Sequence, residues 1–155
     1  MASSSMFGKV YCHKKFKFND GTEGVKRFIV VGISGSITDD DPKEVTLYVV
    51  RTTSQGNHTK FRPTMRGCYN DERGVYKLDP GDSNAFEEST WIQFEVFEYK
   101  LSALKDAFRK GDIEGMGNLG TENLKELLLC MKYSLDIPLK YTTFFSDEYD
   151  RLCRN

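Results

Sequence analysis

The sequence predicts an α+β fold that is mainly β: a small, strongly curved sheet or barrel followed by one or two helices. Four or five segments with strand-like composition come first, and helical periodicity starts only after residue 100. Strands and helices that are segregated in this way indicate the α+β class, whereas a parallel sheet would require them to alternate.

Two neighbouring segments in the first half of the chain are the clearest strands. Residues 28–33 form an unbroken apolar run rich in β-branched side chains, which predicts a strand buried on both faces. Residues 45–51 show the alternation of a half-buried strand beside it. Arg27 enters the first strand and Arg51 leaves the second.

These two arginines are expected to lie at the same rim of the sheet. In an antiparallel pair the start of one strand lies near the end of the next. The pairing would therefore bring together Arg27, Arg51, Thr52 and Thr53. This rim is the candidate site.

The other strands and turns follow from local signals. Residues 10–18 predict a first strand. Residues 19–26 predict a loop because Asn, Asp and Gly at its start tolerate turn conformations. Residues 91–99 predict a late strand, and residues 76–78 a short one before it.

Apolar stripes at helical spacing predict two helices near the C-terminal end. The first begins at residue 101 and is ended by Gly111. Residues 115–120 contain three glycines and predict a tight connector. Thr121 is predicted to cap the second helix, which ends before Pro138.

Length and composition restrict the class of protein. A chain of 155 residues is expected to form one domain with a substantial core. Its net charge of −1 does not by itself indicate a nucleic-acid-binding protein. No apolar run approaches the ~20 residues that a membrane-spanning helix requires, so no membrane association is expected.

The cysteines and acidic residues do not predict a metal site, and no cofactor is expected. Four widely spaced cysteines lack the spacing of zinc ligands, and residues 39–41 lack the spaced oxygen ligands of a calcium loop. Residues 1–5 lack the pattern of a signal peptide. The sequence therefore favours a cytoplasmic protein with free thiols, although it is compatible with a disulfide.

The chain is expected to comprise three parts. Residues 1–7 are predicted to be a disordered N-terminus, residues 8–140 a barrel domain, and residues 141–155 a partly docked extension. The domain contains a long loop, residues 56–89, which has no periodicity. Loops of this length are usually functional or poorly ordered.

The early part of that loop mixes cations with aromatic side chains. His58, Lys60, Arg62 and Arg66 occur there beside Phe61 and Tyr69. Cations that meet phosphates and rings that stack on bases suit a single-stranded nucleic acid. On these residues alone an ordinary solvated loop is slightly favoured.

The order of these features resembles the MazF/PemK/Kid family of toxin endoribonucleases. Gly21-Thr22-Glu23, followed by Lys26-Arg27 and an apolar strand, resembles the family's G-S-E…R-P motif, with Phe28 in place of the proline. Residues 49–55 are similar to its strand ending in threonine, a small residue and glutamine. Residues 89–93 resemble its late strand, and residues 117–135 its closing turn and helix.

The resemblance implies an SH3-like β-barrel with added helices, usually a homodimer. The implied activity is metal-independent cleavage of single-stranded RNA, inhibited in the cell by a cognate antitoxin protein. By position, Arg27 matches the catalytic arginine and Thr53 the catalytic threonine, and Glu23 matches an acidic residue of some members. Arg51, Thr52, Ser54, Gln55, Lys60, Arg62 and Arg66 are the candidate RNA-binding residues.

Metal-free RNA cleavage needs a base for the 2′-hydroxyl and positive charge on the phosphorane that forms. Arg27 can supply the charge through its planar fork of donors, and the Thr53 hydroxyl can hold a phosphate oxygen. Glu23 or His58 is the candidate base, with His13 a weaker one. Each of these residues also has an ordinary structural interpretation, since an arginine at a strand end often pairs with a surface acid.

The leading hypothesis is therefore a toxin-like endoribonuclease of a toxin–antitoxin system, which leaves a 2′,3′-cyclic phosphate and a 5′-hydroxyl. A second hypothesis is a catalytically inactive module on the same barrel that binds nucleic acid or protein through residues 56–75. A third is a barrel subunit whose residues 141–155 dock on a partner.

Overall fold

A computed structural model describes residues 6–17, 20–34, 45–53, 65–69 and 74–154. Seven strands and three helices lie within these ranges. The strands are β1 (Lys9–Lys17), β2 (Glu23–Ser34), β3 (Thr46–Thr53), β4 (Gly67–Tyr69), β5 (Val75–Leu78), β6 (Thr90–Lys100) and β7 (Ile113–Asn118). The helices are α1 (Leu101–Arg109), α2 (Thr121–Lys132) and α3 (Leu139–Arg154).

The seven strands form one antiparallel sheet in the order β4-β5-β6-β3-β2-β1-β7. The α+β, mainly β class predicted from the sequence is confirmed. Among the described residues no pairing joins β4 to β7, so the sheet is open there rather than closed into a barrel. The four main predicted strands are present as β1, β2, β3 and β6, and the short strand at residues 76–78 as β5.

The larger core lies between one face of the sheet and helices α2 and α3. Residues of α2 at helical spacing enter this core because their apolar stripe faces the sheet. The fully buried side chains that meet here include Ile29, Ile92, Leu127, Met131 and Phe145.

Helix α3 approaches β2 closely because Gly32 has no side chain. A Cβ at this position would lie 2.5 Å from the Phe144 ring and 2.9 Å from the Tyr48 ring. Such distances are well inside van der Waals contact, so glycine is the residue that permits this packing. Residues 141–154 are thus an integral part of the fold, and the boundary expected at residue 140 falls inside α3.

The smaller core lies on the opposite face of the sheet, under α1. Leu101 and Leu104 of α1 pack there against apolar residues of β2 and β3. An aromatic stack runs across this face, with ring centroids 5.7 Å apart for Tyr11 and Phe28 and 5.6 Å apart for Phe28 and Tyr99. The prediction that residues 28–33 are buried on both faces is confirmed, because one core covers each face of the sheet at this strand.

Several local predictions are wrong. The expected loop at residues 19–26 is shorter, since β2 already begins at Glu23, opposite Lys17. The expected connector at residues 115–120 is mostly strand β7, which pairs with β1. Gly120, with φ of 95°, occupies the N-cap of α2, and Thr121 is the first helical residue.

The long loop expected at residues 56–89 contains regular structure. Strands β4 and β5 form an antiparallel hairpin at one edge of the sheet within it. Cys68 of β4 is joined to Cys130 of α2 by a disulfide, so the expectation of four free thiols is also wrong. Cys12 and Cys153 are free.

No helix in the described parts of the chain has both the length and the apolar character needed to cross a bilayer.

Candidate functional site

The predicted rim exists at the ends of β2, β3 and β6. Phe28 lies opposite Arg51, so Arg27 and Thr52 follow at the end of this strand pair. Thr52 lies opposite Ile92 and Thr53 opposite Trp91, which places the start of β6 at the same rim. Antiparallel pairing thus brings the end of β3 between the starts of its two neighbours.

A cavity of about 590 Å³ opens at this rim. It is lined by residues of four strands and of the segment that precedes β6, residues 79–89, here called the rim loop. The lining residues are Val25, Lys26 and Arg27 of β2, Thr52 and Thr53 of β3, Asn84 to Glu88 of the rim loop, Thr90 of β6 and Met116 of β7. Its size lies in the range of ligand-binding clefts.

The rim loop is held against β7 by side-chain hydrogen bonds. Ser83 Oγ donates to the Asn118 carbonyl oxygen at 2.7 Å, and the Asn118 N–H donates to Asn84 Oδ1 at 3.0 Å. The turn at the start of the loop is closed by the Asp79 N–H, which donates to the Asp82 carboxylate at 2.8 Å. These contacts fix one wall of the cavity.

The cavity contains both cations and carboxylates. Lys26 and Arg27 line it from β2, and Glu87 and Glu88 line it from the rim loop. In the described parts of the chain neither cation forms an ion pair or a side-chain hydrogen bond. Burial lowers the pKa of Lys26, and the nearby charge of Arg51 lowers it further. The cavity is therefore a place where an anion would find unpaired positive charge.

Arg27 and Thr53, the two residues expected to be catalytic, both line this cavity. Strand alternation nevertheless assigns them to different faces of the sheet. Arg27 shares a face with Ile29, two residues later in β2, whose side chain belongs to the larger core. Thr53 shares a face with Val49, four residues earlier in β3, whose side chain belongs to the smaller core. Thr52 shares the face of Arg27, so the two side chains can meet one ligand there.

Arg51 does not line the cavity and is packed between aromatic rings. Its guanidinium carbon lies 4.5 Å from the centroid of Phe16 and 3.5 Å from that of Phe97. Glu23, the first residue of β2, is not among the residues that line the cavity. The role of Glu23 as base, expected from the sequence, stays a prediction.

The histidines give no base at the cavity in the described residues. His13 lies in β1, where its Nδ1 accepts a hydrogen bond from the Lys15 N–H at 3.2 Å. The remaining expected site residues, Ser54, Gln55, His58, Lys60 and Arg62, lie outside the described residues. No three or more His, Cys, Asp or Glu side chains cluster as metal ligands in the part of the chain that the structure describes.

Arg66, expected to bind RNA, is engaged in an internal network. Its Nε donates to Asp82 at 2.9 Å, and its Nη2 donates to Asn123 Oδ1 at 2.7 Å. Its Nη1 lies 3.2 Å from the Glu126 carboxylate, to which the Tyr76 hydroxyl also donates. Arg66 therefore connects the β4–β5 hairpin, the rim loop and α2, and the expectation that it contacts RNA stays a prediction.

Sequence reasoning missed the contribution of the rim loop, above all Asn84, Glu87 and Glu88. The segment is rich in turn residues and has no periodicity, so it gave no local signal. A long-range signal existed, however. If the predicted strands at 91–99 and 45–51 are neighbours in an antiparallel sheet, the residues before Trp91 lie beside Thr53.

Comparison of the chain with protein-family models, with curated proteins and with solved structures gives no significant match. The resemblance to the MazF/PemK/Kid family thus stays a prediction that rests on short motifs.

Proposed function

We propose that the cavity is the active site of a toxin-like endoribonuclease, which cleaves single-stranded RNA to 2′,3′-cyclic phosphate and 5′-hydroxyl ends without a metal ion. One observation carries the proposal. Lys26 and Arg27, unpaired among the described residues, share a cavity with Glu87 and Glu88. An arginine at a strand end often pairs with a surface acid, so an Arg27 that has no partner among the described residues supports a role toward a ligand.

The groups in the cavity match the needs of this reaction. The 2′-oxygen forms a bond to phosphorus, its proton passes to Glu87 or Glu88, and the bond from phosphorus to the 5′-oxygen breaks. The leaving 5′-oxygen takes a proton from solvent water. Arg27 stabilises the negative charge that develops on the phosphorane, and the Thr52 hydroxyl, which lies on the same face of the sheet, donates to one of its oxygens.

The other features of the resemblance belong to the same proposal. They are an SH3-like curvature of the sheet, a homodimer, a cognate antitoxin protein and a cytoplasmic site of action. The antiparallel, mainly β sheet, with α2 and α3 after its last strand, is compatible with the first of these.

The test is cleavage of a mixed-sequence single-stranded RNA by the purified protein in EDTA, beside an Arg27→Ala variant. We expect discrete cuts by the wild type and a loss of about 100-fold or more in rate for the variant, as for removal of an oxyanion donor. Arg109→Ala is the matched control, because Arg109 lies on α1 in an exposed pair with Asp106. Chemical analysis of the ends distinguishes a cyclic phosphate from a 3′-hydroxyl.

The outcomes separate the hypotheses. Glu87→Gln and Glu88→Gln identify the base, since only one of them should abolish cleavage while leaving RNA binding intact. Binding without cleavage at any protein concentration would support a catalytically inactive nucleic-acid-binding module. Cleavage that EDTA abolishes, or that Arg27→Ala leaves unchanged, would contradict the proposed mechanism.

A further inference from the structure

Two aromatic rings lie close to the guanidinium group of Arg51. Phe16 and Phe97 lie close to the guanidinium carbon, at 4.5 and 3.5 Å from ring centroid to carbon. Aromatic rings stack on the face of a guanidinium and leave its five N–H donors in the plane between them. The group is therefore held in place by packing, with its donors unused by the rings.

No described residue accepts a hydrogen bond from these donors. In the described ranges Arg51 has neither an ion pair nor a side-chain hydrogen bond. Burial lowers the pKa of Arg51, and the nearby Glu95 carboxylate opposes this effect by raising it. A partly buried guanidinium stays charged, and its unsatisfied donors favour a planar or tetrahedral oxyanion.

Lys26 connects this group to the cavity. Phe28 lies opposite Arg51, and strand alternation places Lys26 on the same face as Phe28. The two cations are close enough that the charge of Arg51 lowers the pKa of Lys26. Because Lys26 lines the cavity and Arg51 does not, the pair extends from the cavity along the face of the smaller core.

We propose that Lys26 and Arg51 form a second phosphate subsite beside the cavity, which binds the phosphate adjacent to the scissile one in a single-stranded RNA. An anion between the two side chains would relieve their mutual repulsion and satisfy the Arg51 donors. This inference rests on the proposed function in so far as the ligand is RNA.

The experiment measures binding separately from cleavage. A fluorescently labelled single-stranded oligonucleotide with 2′-O-methyl groups keeps its phosphates but lacks the attacking hydroxyl, so its Kd is measurable by anisotropy without turnover. We expect Kd to rise about tenfold or more in Lys26→Gln and in Arg51→Lys, since each loses a charge-assisted contact or the planar fork. Arg109→Gln is the control and should bind as the wild type does.

A methylphosphonate scan locates the subsite. Replacing one phosphate at a time by a neutral methylphosphonate should weaken wild-type binding most at two adjacent positions. At one of these positions the same replacement should cost Arg51→Lys much less, because the variant has already lost that contact.

Thermal unfolding of each variant separates the subsite from a purely structural role. If Arg51 serves only to pack between Phe16 and Phe97, Arg51→Lys will lower Tm and leave the Kd of the folded protein unchanged, which overturns the proposal. Unchanged binding in Lys26→Gln overturns it as well. Failure of wild-type cleavage with these binding effects intact would remove the proposed enzymatic function and leave the subsite standing.

Discussion

Three arginines of this chain show how strongly the role of a residue depends on its neighbours. Arg66 is paired with two carboxylates, Arg51 is packed between two rings, and Arg27 lines a cavity without a described ion pair. An arginine in the first setting holds elements together, whereas one in the last is available to a ligand. The sequence alone does not distinguish these settings, because all three arginines follow or precede turn-rich segments.

Arg66→Met tests the structural role at the scale of a single residue. Removing the guanidinium leaves the Asp82 and Glu126 carboxylates without their shared cation. We expect the free energy of unfolding to fall by about 2 kcal/mol, less than for a buried pair because the Arg66 side chain is 34% exposed. Urea denaturation measures this, and RNA affinity should stay within twofold of the wild type.

The matched control is Arg109→Met, which removes an exposed ion pair on α1. Such pairs contribute about 0–1 kcal/mol, so its stability should hardly change. A tenfold loss of RNA affinity in Arg66→Met, without a loss of stability, would restore Arg66 to the RNA-binding surface.

At the scale of secondary-structure elements, the β4–β5 hairpin is tied to α2 twice, through the Arg66 network and through the disulfide Cys68–Cys130. The hairpin contains only three residues in β4 and four in β5, which is too short for independent stability. The covalent link and the polar network therefore hold an edge of the sheet that its own hydrogen bonds would hold poorly.

The disulfide should stabilise the fold measurably. Its two cysteines are 62 residues apart, and closing a loop of that length contributes about 4 kcal/mol in the chain-entropy account. We expect the double variant Cys68→Ser/Cys130→Ser to lose about this much in denaturant unfolding. Cys153→Ser, which changes an exposed free cysteine, is the control and should leave stability unchanged.

Thiol titration under denaturing conditions tests the pairing directly. The oxidised chain should show the two thiols of Cys12 and Cys153, and the reduced chain should show all four. Four reactive thiols in protein purified without reductant would contradict the disulfide.

The strands of the central sheet were predictable because their signals are local. The apolar run at residues 28–33 and the alternation at 45–51 identify β2 and β3, and antiparallel pairing then places Arg27 and Thr53 at one rim. Strand β7 was missed because Gly115 and Gly117 weaken any local strand signal, and its pairing with β1 is long-range. Helix α3 was missed because its aromatic stripe lies among charged residues.

The candidate site was predictable only in part, for a related reason. The residues supplied by strand ends followed from register, whereas Glu87 and Glu88 come from the rim loop, whose position depends on hydrogen bonds to Asn118 of β7. The link between Cys68 and Cys130 left no trace in their spacing, since residues distant in sequence meet only after the sheet and α2 have packed.

For the molecule as a whole, positive charge is local rather than general. The chain has 22 basic and 23 acidic side chains, so its net charge of −1 provides no overall attraction for RNA. Among the described residues, the rim cations Lys26, Arg27 and Arg51 are the ones proposed to meet the phosphates of an RNA, against a nearly neutral background. The dependence of RNA affinity on salt concentration measures how many phosphates the protein neutralises.

Two neutralised phosphates, one at Arg27 and one at the Lys26–Arg51 subsite, predict a slope of about −1.4 in a plot of log affinity against log salt concentration, from roughly −0.7 per phosphate on a single strand. Arg27→Gln should reduce the steepness of the slope by about 0.7, because one phosphate loses its cation, and the double variant Lys26→Gln/Arg51→Gln should do the same at the other phosphate. Lys105→Gln on α1, an exposed lysine outside the cavity, should leave the slope unchanged. Anisotropy titrations with the 2′-O-methyl oligonucleotide at several salt concentrations measure these slopes. A slope twice as steep that persists in both variants would show that RNA binds elsewhere on the chain, and the rim would lose its assignment.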